Sequence, residues 1–386
     1  MRRMGWMAVV LVVAGCSSLQ IDTLQLDRDA PPESWRQSGQ VDVAIQLPLE
    51  EVWRYNGGAG FGPEALMVSG KVIFISNRKG EVHAVDAETG KKLGLEEFGE
   101  SVESATMTDG RYLYLASTKG RRKVFAYDMQ KGRTEWRRRA EPSDAGIVLH
   151  DDLILTADLF GTIRAHQQAT GDEVWSIEIG SEEDPTGVKA PLRLTNDGHL
   201  IATDIDGRVY RIDAATGNIR WDMQVGAPIY QAPALTDDAV YVPTTRGSLV
   251  VLDAATGAKR WHRTLPDSTI RFATPAAAND MVVTATTDGL VEAHDPQSGV
   301  VLWSFASPDA ISAAPLITQD HVFVGSLGKQ LYVLDRDTGA MLEEHEVKGR
   351  IKTAIAAYDD SVIVLCEPQH IYRFATRTAE EVADAR

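Results

Sequence analysis

Cysteine is nearly absent from this chain of 386 residues: Cys16 and Cys366 are the only two, too few for a disulfide framework or a cysteine-rich metal site. The nine histidines show no H-E-x-x-H or other metal spacing, and no G-x-S-x-G elbow occurs. Positive charge is also scarce. Against 55 Asp and Glu stand 39 Lys and Arg, a formal charge of −16, which argues against free nucleic acid as a partner because phosphates need a positive surface. Helical periodicity with caps is missing after the first segment, which removes α/β and helical-solenoid architectures. The apolar stretch at 4–14 is far shorter than the ~20 residues of a spanning helix.

What is present begins with that stretch. Arg2 and Arg3 precede it, and it ends Val13-Ala14-Gly15-Cys16, which resembles the lipobox of bacterial lipoprotein signal peptides. The resemblance implies cleavage before Cys16 and lipidation of its thiol. Several acyl chains anchor stably, because each buried methylene contributes about 0.8 kcal/mol. Ser17 rather than Asp after the cysteine implies sorting to the outer membrane, with the periplasmic face as the expected side. Residues 17–48 carry Ser17-Ser18 and Pro31-Pro32 without a sustained apolar period, and read as a flexible tether outside the core. The expected organisation is a signal peptide at 1–15, a tether at 16–48, a folded body at 49–376 and a tail at 377–386.

The body is repetitive. The pattern D-x-x-T/S-G-x-x-x-W returns about every forty residues, with glycines at 90, 132, 171, 217, 257, 299 and 339 and Trp in five of the seven copies. In each copy the Asp can close an Asx-turn and the Gly can take a positive φ. β-branched runs such as Val240-Tyr241-Val242 and Ser248-Leu249-Val250-Val251-Leu252 precede the turn, and a run such as Ala232-Pro233-Ala234 opens the unit. Four strands per ~40 residues is a propeller blade, so the predicted fold is all-β, an eight-bladed β-propeller of four-stranded antiparallel blades. Residues 351–376 lack a final Trp strand, and 50–55 carry Trp53 without preceding strands; the N-terminal strand is therefore expected to close the last blade. A seven-bladed ring is the alternative.

The A-x-D-x-x-T-G-x-x-x-W repeats resemble the PQQ-type propeller repeat. Together with the lipobox, the Trp strand and the glycine-rich Asn56-Gly57-Gly58-Ala59-Gly60-Phe61-Gly62, they are similar to the BamB family, lipoprotein accessories of the β-barrel assembly machinery. The resemblance implies a protein-binding scaffold of the outer membrane, monomeric, with no enzymatic activity and no cofactor. It attributes partner contact to the loops before the fourth and fifth blades, where this chain offers Glu182, Glu183 and Asp184, and Ile229 and Tyr230. Larger relatives of the repeat hold PQQ and calcium on the axis, but the adjacent Cys pair and long insertions of those enzymes are missing here. A propeller that binds a small molecule or quinone in its channel is the alternative function.

Three further features have local readings. His166 and His294 take the repeat position of Val85, Ile212 and Leu252 and are expected to pack between blades. The glycines at 57–62 read as a flexible connector, since no helix follows to make a phosphate loop. In the second blade, Lys119, Arg121, Arg122, Lys123, Lys131, Arg133, Arg137, Arg138 and Arg139 crowd together in an acidic protein. That cluster is a solvated rim or a surface for an anionic partner, lipid headgroups or an acidic subunit, with Arg121, Arg122, Arg137 and Arg138 as its test residues.

Overall fold

The middle strands of each repeat are apolar at consecutive positions: Ala239–Pro243 is buried throughout, and Ser248–Asp253 at all but its ends. A sheet with two apolar faces needs cover on both, and a ring of sheets supplies it. A computed structural model, which describes residues 18–26, 39–62, 64–99, 101–102, 106–118, 123–180 and 186–376, has that arrangement. Seven sheets are four-stranded antiparallel meanders whose strands follow one another in chain order. They form blades 1 to 7, beginning at Leu66, Met107, Ile147, Arg193, Ala234, Ala276 and Leu316.

Blade 8 is assembled from both extremities. Arg350–Ile351, Ala356–Tyr358, Ser361–Glu367 and His370–Ala375 form its inner part, and Glu50–Asn56 adds antiparallel to His370–Ala375, with Trp53 opposite Arg373 and Arg54 opposite Tyr372. The apolar edge of His370–Ala375 is thereby paired, and the short, charged Glu50–Asn56 becomes the outer strand as in the other blades, where charged side chains guard an edge against aggregation.

The repeated turn does two jobs. In blade 5 the Asp253 carboxylate accepts from the Thr256 N–H at 2.9 Å and its hydroxyl at 2.8 Å, and Gly257 takes φ +73°. A Cβ on Gly257 would also lie 2.8 Å from the Trp221 ring of blade 4, so the glycine leaves room for an indole. Six tryptophans dock in this way, each on the turn of the next blade. The indoles of Trp53, Trp136, Trp175, Trp221, Trp261 and Trp303 donate to the carbonyls of Ala87, Gln168, Ala214, Ala254, Pro296 and Arg336 at 2.8–3.2 Å.

Two joints have no Trp, because Gly94 and Glu343 stand at its place. The segment expected to be a tether docks at both, which corrects that expectation for residues 18–26 and 39–48. At the joint of blades 1 and 2, Leu19 is fully buried with Ile21 and Leu26 beside Phe74, Phe125 and Met129. The Ile21 N–H donates to the Met129 carbonyl at 3.2 Å, the same turn carbonyl that an indole takes elsewhere. A side chain on Gly94 would meet the Leu19 backbone at 3.0 Å. At the other joint Ile45 and Leu49 are buried, and the Leu49 N–H donates to Glu343 at 3.0 Å. Between the two, Gly39 and Val41 exchange backbone hydrogen bonds with Ile317, and Val43 accepts from Gln319.

The glycine-rich run is likewise no loose connector. Phe61 is buried in the core, Gly57 donates to the Gln369 carbonyl, and Asn77 Nδ2 donates to the Gly57 carbonyl at 3.0 Å. His166 and His294 are buried, and the His294 ring lies 6.3 Å from that of Trp261 in blade 5, the packing between blades expected of it.

Candidate functional site

The innermost strands are short, two residues in Arg193–Leu194, Ala234–Leu235, Ala276–Ala277 and Leu316–Ile317, and each is preceded by an x-Pro-x piece: Pro191, Pro233, Pro275, Pro315. Proline has no N–H to leave unsatisfied on the side facing the axis, and the small neighbours Ala232, Ala314 and Ala354 leave space there. The result is a central channel with a cavity of 390 Å³ lined from all eight blades.

Its charged lining side chains are Glu64, Asp144, Lys189, Arg193 and Lys352. Arg193 on blade 4 is buried and donates through Nη2 and Nη1 to the Glu64 carboxylate at 2.5 and 3.4 Å, and through Nη1 to the Leu192 carbonyl at 3.1 Å. Glu64 precedes the inner strand of blade 1, so the ion pair crosses the channel between non-adjacent blades. Burial offsets much of its Coulombic gain, yet loss of either partner would strand a charge. Lys352 pairs with Glu367 at 2.7 Å. At the mouth, Lys189 Nζ lies 5.1 Å from the centre of the Tyr230 ring, and Tyr230 is 48% exposed.

The channel can therefore hold or touch a partner, and its donor set does not fit a metal-dependent quinone. Calcium takes six to eight oxygen ligands. Among the described residues no three His, Cys, Asp or Glu side chains come together as a metal site, and Glu64 is engaged by Arg193. Cys366, fully buried, has a thiol that burial pushes well above its ordinary pKa, which suits packing rather than reactivity.

The residues singled out from the sequence fall into separate places. Tyr230 stands at the channel mouth. Ile229 beside it is a correction: it is fully buried against Val240, Val242 and Leu252, holding the loop down, and offers no surface. Arg137 and Arg138 lie far from the axis, on the outermost strand of blade 2, Arg133–Arg139. Arg138 pairs with Asp172 of blade 3 at 3.0 Å, and Arg137 lies over the Phe125 ring at 6.0 Å. Cys16, Arg121, Arg122, Glu182, Glu183 and Asp184 are outside the described residues. Nothing in the sequence singles out Glu64 and Arg193, which are 129 positions apart; the recurring proline with small neighbours is the only signal of the channel they share.

Comparison with known proteins agrees with this geometry. The family model described as outer membrane protein assembly factor BamB matches residues 37–162, 159–310 and 287–382. The assembly factor BamB of Burkholderia pseudomallei is 23% identical over 272 residues, which take in 66% of this chain and 67% of that protein. The chain spans about two thirds of the length of such curated relatives, 63–67%. The crystal structure of BamB from Moraxella catarrhalis superposes with a TM-score of 0.73 at 18% identity, over 85% of this chain and all of that one. A quinohemoprotein alcohol dehydrogenase from Comamonas testosteroni reaches the same TM-score at 13% identity over 88% of this chain and 79% of its own, a likeness of fold alone.

Proposed function

Because the chain belongs to the BamB family, we propose that it is a lipid-anchored, non-enzymatic scaffold that binds a protein subunit of the β-barrel assembly machinery at the periplasmic face of the outer membrane. The observation that carries this reading is the family match, which runs through all eight blades. An exposed tyrosine beside a lysine at the channel mouth supports it, since aromatic anchors dominate protein interfaces. So does the employment of the repeated aspartates in turns, which leaves them no part in chemistry. The ring acts as a monomer.

The test is affinity capture of the tagged, full-length chain from detergent-solubilised outer membranes. A barrel-inserting subunit is expected to co-purify, and joint Lys189→Ala and Tyr230→Ala substitutions are expected to lower its recovery at least fivefold. Clean capture of the chain without such a subunit would sink the proposal. A second reading, a small molecule or quinone bound on the axis, has the 390 Å³ cavity in its favour. Thermal-shift measurements with PQQ and calcium separate the two: a ligand at a hundred times its Kd stabilises by about 2.7 kcal/mol, and the scaffold reading expects no shift.

A further inference from the structure

Two observations meet at the joint of blades 1 and 2. The docked segment ends there: a Cβ on Gly132, in the turn of blade 2, would lie 3.2 Å from Ser18 Oγ, and Gln20 Nε2 donates to the Gln130 carbonyl at 2.8 Å. Ser18 is two positions from Cys16, a span of at most about 7 Å. A chain expected to hang from a tether of some thirty residues is thus held short, with its body docked almost up to the anchoring cysteine.

The second observation is the charge at that spot. The outermost strand of blade 2, Arg133–Arg139, exposes Arg133, Glu135, Arg137 and Arg139; a bulge at Glu135 turns Arg133, opposite Asp128, to the other side of the rim, while Arg137 and Arg139, opposite Phe125 and Lys123, share one face. That face turns toward blade 1, where Phe125 beneath Arg137 meets Phe98 at 5.6 Å, the cleft from which the docked segment leaves. Lys131, in the turn, is held by Asp128 at 3.2 Å. Glu135 is the one acid of the strand, 3.3 Å from Lys131 and 3.9 Å from Arg133; Arg137 and Arg139 have no carboxylate partner among the described residues. Blade 5 has an equally basic outer strand, but there Arg260 is held by Asp238 and Asp253, and Arg263 by Glu292.

We propose that this rim of blade 2 is a contact surface for anionic lipid headgroups, which the short anchor presses against the membrane. The proposal rests on lipidation of Cys16 and goes beyond it by giving the propeller a fixed orientation: blade 2 faces the bilayer and blade 6, four blades on, faces away. Basic residues near an anionic surface act together, each contributing about fivefold in binding, so a few of them hold a rim that the acyl chains have already brought within reach. An edge strand also gains from arginine as protection against pairing, and the experiment separates that role from lipid contact.

The full-length lipidated chain is reconstituted in phosphatidylcholine vesicles with and without phosphatidylglycerol, both containing a headgroup-spin-labelled lipid. A fluorophore is attached at Glu135→Cys or, as the control, at Ser304→Cys on the outer strand of blade 6; Cys366 is buried and stays unlabelled. Quenching at position 135 is expected to exceed that at 304 at least threefold in phosphatidylglycerol vesicles. The ratio should fall toward one without that lipid, or when Arg133, Arg137 and Arg139 are changed to Gln. Equal quenching at both positions, or a ratio indifferent to the three arginines, overturns the proposal. So does arginine-dependent capture of an acidic protein by a chain whose vesicle contact ignores the arginines. Mass spectrometry of the same preparation reports the acyl chains, so a failure of lipidation is seen separately. An unlipidated chain is then tested by co-sedimentation with the same vesicles, where loss of arginine dependence again overturns the surface.

Discussion

At the scale of single residues, six of the eight blade joints rest on one indole each. Trp303 is buried, lies over Gly339 and donates to the Arg336 carbonyl at 2.8 Å. Trp303→Phe keeps most of the packing and loses the hydrogen bond, an expected cost of about 1 kcal/mol; Trp303→Ala empties the joint and is expected to cost about 3–5 kcal/mol. Urea unfolding of the two variants measures both, and equal costs would mean that the bond rather than the ring closes the joint. His294 carries a different dependence. It is fully buried, close to Thr284, Glu292 and the Gly299 carbonyl, and burial, with the charge of Arg263, pushes its pKa down to about 4. An unfolded histidine titrates near 6.5, so as pH falls the unfolded chain takes up the proton first. The stability held above pH ~6.5 is lost between there and about 4, on the order of 2 kcal/mol of it between pH 7 and pH 5. His166 and His83 are shifted in the same direction by burial, so the term is isolated by comparison. His294→Leu, the residue type at the same repeat position in blade 5, is expected to remove that share of the acid sensitivity in denaturation curves at pH 7 and pH 5.

At the scale of elements, the two copies of the repeat that lack tryptophan are where the N-terminal segment is needed. Leu19 fills the joint left open by Gly94, with no solvent exposure. Leu19→Ala is expected to cost about 2–3 kcal/mol and to speed proteolytic trimming of residues 18–26. Gly94→Trp should also free that segment, because an indole would enter the space of the Leu19 backbone. Trimming at the wild-type rate in both variants would show that the segment does not close the joint. This strap also marks the limit of what the sequence discloses. Blades were legible because Asp, Thr, Gly and Trp each have a local job that recurs at a fixed spacing. Leu19, Ile21, Leu26, Ile45 and Leu49 follow no period, since each fits a different irregular gap, and only the missing Trp at 94 and 343 signals that something else must fill those places. The channel was hidden for a related reason: Glu64 and Arg193 meet across the axis, a contact that only ring closure creates.

At the scale of the whole molecule, closure sets the cooperativity. In an open stack of repeats, stability is a sum of unit and nearest-neighbour terms, and the terminal units have one neighbour each. A ring gives each blade two neighbours, and here it depends on one strand, Glu50–Asn56, whose Trp53 also donates to the Ala87 carbonyl of blade 1 at 3.0 Å. A chain starting at residue 57 loses that strand, the Trp53 joint and both docked segments together. It exposes the edge of His370–Ala375, whose Tyr372 and Phe374 are stacked at 5.8 Å. Such a chain is expected to unfold in urea over a broadened transition with a lower midpoint, and to elute as dimers or larger species in size-exclusion chromatography as free edges pair. A chain starting at residue 39 keeps the closing strand and loses only the strap at blades 1 and 2; it should remain monomeric with a single, modestly weakened transition. If the two truncations behaved alike, the closing strand would not be what makes the eight blades fold as one unit.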